Sequence, residues 1–244
     1  MKDSGLSPRS ITYALAIIRQ AFNYARNFDL YCGDNPVSKV KKPSQDNRRS
    51  RFLSHEEADL LLEKLSKISP ITHDISLLSL HCGLRAGEIF NLAWKDIDFD
   101  NGIILIKDTK SGKNRNAIMT KDVRTMLRKR ECCTKSALVF SSRTGERITE
   151  VSRTFDRVTD ALGFNNGVTD SRHKVVFHTL RHTYASWLVM SGVDLYTVQR
   201  LMGHSTVAMT ERYSHLAPDH LKKAVNTFED KIKQHRDDNI FVTK

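Results

Sequence analysis

No uninterrupted apolar run in these 244 residues approaches the roughly 20 residues that a membrane-spanning helix needs. No charged-then-apolar leader opens the chain, so a cytoplasmic location is expected, with no membrane partner. The four cysteines, Cys32, Cys82, Cys132 and Cys133, show no C-x-x-C spacing, which disfavours a zinc or redox motif. Bridging the adjacent Cys132 and Cys133 would need a strained peptide, so all four are read as reduced thiols. Internal repeats and low-complexity tracts are missing too. Acidic residues are the minority, 28 against 39 Lys and Arg, giving a formal charge of +11 and a pI near 9.6. That balance favours an acidic polymer as partner, although many basic proteins of other classes share it. What is present, 39% hydrophobic and 27% charged residues, is the composition of a globular protein with a full core.

The informative stretch runs from His178 to Tyr213. His178 and Arg181 stand i,i+3 and project from one face of a helix. Leu180, Tyr184, Trp187 and Leu188 continue at helical spacing until Gly192. A second helix over about Leu195 to Met202 ends at Gly203 and delivers His204 at a turn, with Tyr213 shortly after. An arginine, two histidines and a phenol are suited to phosphoryl transfer onto tyrosine. Fixed donors stabilise charge on the equatorial oxygens, and the phenol can hold the phosphoryl group covalently. Taken singly, each residue is more often a surface or capping group.

Upstream, residues 1–45 read as a helix capped by Ser7 or Ser10, with Ile11, Leu15, Ile18, Phe22 and Ala25 as its stripe, followed by a break at Asn35-Pro36. The connector KVKKPSQDNRRSR is basic, and Lys41, Lys42, Arg48 and Arg49 suit a phosphate backbone, or plain solvent. Ser54 with Glu57 predicts a capping box, and Thr72 to His81 a buried helix capped by Gly83. Arg85 then stands at the junction before a helix to Leu92, where it pairs with Glu88 or addresses an external anion. The period next becomes alternating. Ile97–Phe99, Ile103–Ile106 and Ala117–Met119 predict three strands, with Thr109 to Asn114 as the second turn. Helices follow over Lys121 to Arg130 and Thr149 to Leu162, and after Tyr213 an amphipathic tail places Leu221, Ala224, Val225, Phe228 and Ile232 on one stripe.

The boxes Gly83-Leu84-Arg85-Ala86-Gly87-Glu88-Ile89, His178-Thr179-Leu180-Arg181, Leu201-Met202-Gly203-His204 and Tyr213 resemble the signature of the tyrosine recombinase (phage integrase) family. That resemblance implies an α+β, mainly helical, integrase-type catalytic domain with a small antiparallel three-stranded sheet. It implies three regions: residues 1–45 as the last part of a helical core-binding domain, 46–218 as the catalytic domain, and 219–244 as a tail helix for a neighbouring subunit or for packing in cis. One helix and its linker look like only the end of the core-binding domain.

The activity implied is site-specific cleavage and rejoining of DNA through a 3′-phosphotyrosine, with integration or excision of a mobile element, and no metal or cofactor. Tyr213 would be the nucleophile and Arg85 and Arg181 the clamp on the phosphate. His204 would be a further donor, His178 the acceptor of the phenol proton, and Lys110 of the hairpin the general acid. Lys113 and Arg115 join the connector cations as DNA contacts. The expected partner is double-stranded DNA at attachment sites, bound as a homotetramer, with the free protein a monomer or weak oligomer. Rivals are a type IB topoisomerase, a DNA-binding protein without catalysis, and a metallohydrolase built on His178 and His182, which lacks the Glu of H-E-x-x-H.

Overall fold

Serine caps set where the early helices begin. In the computed structural model, which describes residues 6–43, 50–107, 114–130, 134, 137–142, 144–217 and 225–234, Ser7 accepts from the Ser10 amide and starts α1, Pro8–Asn27. The chain divides into two compact units, Met1–Arg48 and Arg49–Lys244. In the first, Ile11 and Leu15 bury against Val37 of the 3-10 turn Pro36–Lys39, which Asn35 caps. Beyond them the expected stripe thins, with Ile18 37% exposed and Phe22 and Ala25 half-buried. Lys41 and Lys42 are exposed, and Arg48 and Arg49 lie outside the described residues.

The second unit opens with the capping box of Ser54 and Glu57, which starts α2, His55–Ile68. Ser69 and Pro70 launch α3, Pro70–Cys82, in which nine of the 13 residues are buried. Gly83, in the left-handed region at φ 64°, ends α3 and turns the chain into α4, Ala86–Phe90. Two short strands and a third, β1 (Ile97–Asp98), β2 (Ile103–Ile106) and β3 (Arg115–Ile118), form an antiparallel sheet in that order. Strand β3 begins earlier than the sequence pattern predicts, because Arg115 pairs with Ile106.

Helices α5 (Lys121–Arg130), α6 (Thr154–Ala161), α7 (Phe177–Met190) and α8 (Leu195–Met202) complete the unit. Helix α6 is shorter than the expected Thr149 to Leu162. The Ser152 hydroxyl accepts from the Thr154 amide at 3.2 Å, and this local turn displaces helix from the preceding residues. Residues 225–234 are helical with Val225 and Phe228 exposed, while Leu221 and Ala224 lie outside the described residues.

Three apolar clusters hold these pieces. One joins α3, α4 and α5 to the sheet through Leu78, Ile89, Ile104, Leu127 and Phe140. Another joins α2, α6 and α7 through Leu61, Leu65, Phe155 and Leu180. The third, Ala185, Val189, Val198, Met202 and Tyr213, ties α8 and the tyrosine segment onto α7. Packing of α7 along α3 brings Gly83 next to Arg181. Among the described residues no helix is long and apolar enough to cross a membrane.

Candidate active site

A single carboxylate organises the cationic groups. Glu88 occupies the third position of α4, where its Oε2 accepts from the Arg85 amide at 2.9 Å. Its Oε1 accepts from Arg85 Nη1 at 2.9 Å, and Oε2 accepts from Arg115 Nη2 at 2.8 Å. Arg181 Nη1 stands 3.9 Å from the same Oε2. Three guanidiniums therefore share one carboxylate, which leaves two positive charges uncompensated by it. Burial pushes the Glu88 carboxyl up, but Arg115, the Arg85 amide, Arg181 and Arg85 together outweigh it and hold the group below the usual range. The side chains are 31% (Arg85), 9% (Arg115), 2% (Arg181) and 7% (Glu88) exposed, so Arg85 is the cation open to an external anion.

Arg181 is held from beneath. Its two Nη atoms donate to the carbonyls of Gly83 and Met202, at the C-terminal ends of α3 and α8. Helix C-termini carry partial negative charge, which favours a cation there. Burial, then Arg85 beside it, pull this guanidinium down to about 9, and it remains protonated at neutral pH.

Arg115 knits the sheet to the same point. Its Nη1 donates to the Leu201 carbonyl at 3.0 Å, and a side chain at Gly203 would collide with it. Gly203 also sits at φ 61°, so the turn that presents His204 requires glycine twice over. His204 Nδ1 lies 2.9 Å from the Thr210 hydroxyl. Burial first, then Arg181 and Arg85, depress this imidazole to about 3, which keeps it neutral. In the tautomer that accepts from Thr210 at Nδ1, the proton sits on Nε2 and His204 is a neutral donor beside the cations. A cleft of about 790 Å³ lined by Arg115, Asn116, Gln199, Gly203 and His204 adjoins this group.

Tyr213 falls in the 3-10 segment Glu211–Leu216 and is 5% exposed. Its hydroxyl meets Nδ1 of His182 at 2.5 Å, and His182 is itself 6% exposed. Burial raises the phenol above its ordinary value against the opposing pull of Arg212 and Arg181, so it carries its proton at neutral pH. His178 is exposed one turn ahead, its ring edge-on to His182 with centroids 4.7 Å apart.

The structure thus brings Arg85, Arg181, His204 and Tyr213 into one neighbourhood, with His178 at its margin. Lys110 and Lys113 lie outside the described residues. Arg115, expected on the DNA backbone, points inward to Glu88 instead. In the sequence alone Glu88 stands out only as an ion-pair partner for Arg85, and His182 only as a metal candidate. Adjacency of His182 to Arg181 was the available signal for the latter. Among the described residues no group of three or more His, Cys, Asp or Glu is placed to hold a metal ion.

A family model described as "Phage integrase family" matches residues 51–220. Tyrosine recombinase XerA of Pyrococcus furiosus is 26% identical over 228 residues, 92% of this chain and 76% of the relative. The integrase of the transposon Tn1549, solved with transposon right end DNA, superposes with a TM-score of 0.71 at 22% identity, covering 94% of this chain and 82% of that one. The catalytic domain of bacteriophage HP1 integrase gives a TM-score of 0.56 at 26% identity, over 72% of this chain and 93% of that one. By the match across most of its second unit, and by a fold shared with these enzymes, the chain belongs to the phage integrase family.

Proposed function

We propose that this protein is a site-specific DNA recombinase, a tyrosine recombinase that integrates or excises a mobile element by cutting and rejoining strands through a 3′-phosphotyrosine. The observation that carries the reading is the surplus of guanidinium charge around Glu88, with a neutral imidazole donor and a buried phenol beside it. A backbone phosphate supplies the missing anion. Arg85 and Arg181 hold its non-bridging oxygens, for which planar guanidinium geometry is better matched than ammonium. His204 donates to the same oxygens without adding charge.

In the cleavage step Tyr213 Oη bonds to phosphorus and the bond from phosphorus to the 5′ oxygen breaks. The phenolic proton leaves by way of His178 of α7, and Lys110 protonates the departing 5′ oxygen. The new ester conserves the energy of the old one, so a 5′-hydroxyl from another strand can reverse the step with no nucleotide cofactor. Pairing of strands requires four subunits, and we assign a homotetramer on paired attachment sites, assembled from monomers or weak oligomers in the cytoplasm. Residues 1–45, with Lys41, Lys42, Arg48 and Arg49 at or just past their end, serve as the end of a core-binding domain on the DNA backbone, together with Lys113 of the hairpin. Residues 46–218 form the catalytic domain, and the tail from 219 docks on a neighbouring subunit.

The test is an oligonucleotide carrying the attachment core, nicked so that the short 5′ piece diffuses away. Wild type accumulates a covalent protein–DNA adduct, whereas Tyr213→Phe does not. An adduct of wild-type yield in the Phe variant would overturn the assignment of the nucleophile.

A further inference from the structure

Tyr213 meets an imidazole, and it is not the one that the family signature singles out. The His182 Nδ1 to Tyr213 Oη distance is 2.5 Å, within hydrogen-bonding reach. Both partners are buried, at 6% and 5% exposure, so water does not compete for either. His178, by contrast, is exposed, with its ring edge-on to that of His182. His182 also follows Arg181 directly on α7, so the helix that holds the clamp guanidinium presents the phenol's partner at the next position.

We propose that His182 is the catalytic partner of the nucleophile, holding the Tyr213 hydroxyl and receiving its proton as Oη attacks phosphorus. This rests on Tyr213 being the nucleophile. The phenol carries its proton in the resting protein and donates it to the Nδ1 lone pair, with the ring hydrogen on Nε2. On attack the O–H bond breaks as Oη bonds to phosphorus, His182 becomes an imidazolium, and the electron pair of the broken ester leaves with the 5′ oxygen. That oxygen is protonated from a separate donor, so one proton is taken up and another delivered. The imidazolium is then beside the exposed ring of His178, with the two centroids 4.7 Å apart. In the rejoining step the same imidazolium returns a proton to the departing phenolate, as reversibility demands.

Adduct formation on the nicked attachment-site oligonucleotide reads this out, with melting temperature and DNA affinity measured on each variant. Removal of a positioned base typically slows such a step by about a hundredfold or more, so His182→Ala loses that much in rate while binding DNA as wild type does. His182→Asn retains a polar atom near the Nδ1 position but cannot accept the proton, and it is slowed to a similar degree. Added imidazole restores at least tenfold to His182→Ala and nothing to His182→Phe, in which the ring space is filled. The inference is overturned by an Asn variant within twofold of wild type, which would leave positioning alone. It is equally overturned if imidazole fails to restore a folded, DNA-binding Ala variant, or if that variant keeps the wild-type rate. An adduct in wild type, absent in Tyr213→Phe, separates any of these failures from failure of the recombinase reading itself.

Discussion

Replacing Glu88 with Gln removes the one carboxylate that, among the described residues, the three guanidiniums share, and almost nothing of its volume. Arg85 is 31% exposed and can turn to water, so its loss is small. Arg115 and Arg181, at 9% and 2% exposure, cannot. Breaking a buried ion pair from one side costs about 3–5 kcal/mol, and Gln keeps one acceptor oxygen, which places the loss near the lower figure, about 3 kcal/mol. For a unit of this size each kcal/mol moves the melting temperature by roughly 2–4 °C, so Glu88→Gln should melt roughly 6–12 °C below wild type. An anion bound beside the guanidiniums offsets the lost negative charge and stabilises by mass action, so sulfate or inorganic phosphate should narrow the gap between variant and wild type. Differential scanning calorimetry with and without sulfate measures both quantities. A variant melting within about 1 °C of wild type would refute the reasoning, because Glu88 would then not be what holds the cations together. Equal stabilisation of both proteins by sulfate would refute the second half.

Gly203→Ala should destabilise by at least about 1 kcal/mol, since it imposes a left-handed strain and displaces Arg115, and adduct yield should fall with it. Urea denaturation checks the first effect and the nicked-substrate assay the second. Acidification should weaken the fold through His204. A histidine depressed in the folded state adds stability above its ordinary value near 6.5, and that stability drains away as pH falls from there toward about 3. Glu88, also depressed, adds a second loss below its ordinary 4.5, which Glu88→Gln should abolish in a pH series of melts. Tetranitromethane should nitrate Tyr13, Tyr24 and Tyr196, exposed at 70%, 61% and 61%, well before Tyr213 at 5%, as peptide mapping would show.

Much of this site was legible before any coordinates. The glycine-bounded boxes around Arg85 and His204 and the His-x-x-Arg box of Arg181 are local, and Gly83 and Gly203 each cap the helix that the apolar period predicts. The same holds for the capping box at Ser54, where both halves of the signal lie within four residues. What the pattern could not supply is which distant groups meet. Arg115 reads as one more cation of a basic hairpin, and only strand pairing at Ile106 turns it inward to Glu88. His182 and Tyr213 are 31 residues apart, and their contact depends on the α8 turn folding the 3-10 segment back onto α7. Helix α6 came out short because a serine hydroxyl captured an amide, a competition that hydrophobic spacing does not register.

The most direct test of the central claim is to digest the trapped protein–DNA adduct and locate the modified residue by mass spectrometry. The account predicts a nucleotide remnant, attached through its 3′ phosphate, on the peptide containing Tyr213. A remnant on Tyr184 or Tyr196, or on any serine or histidine, would contradict it.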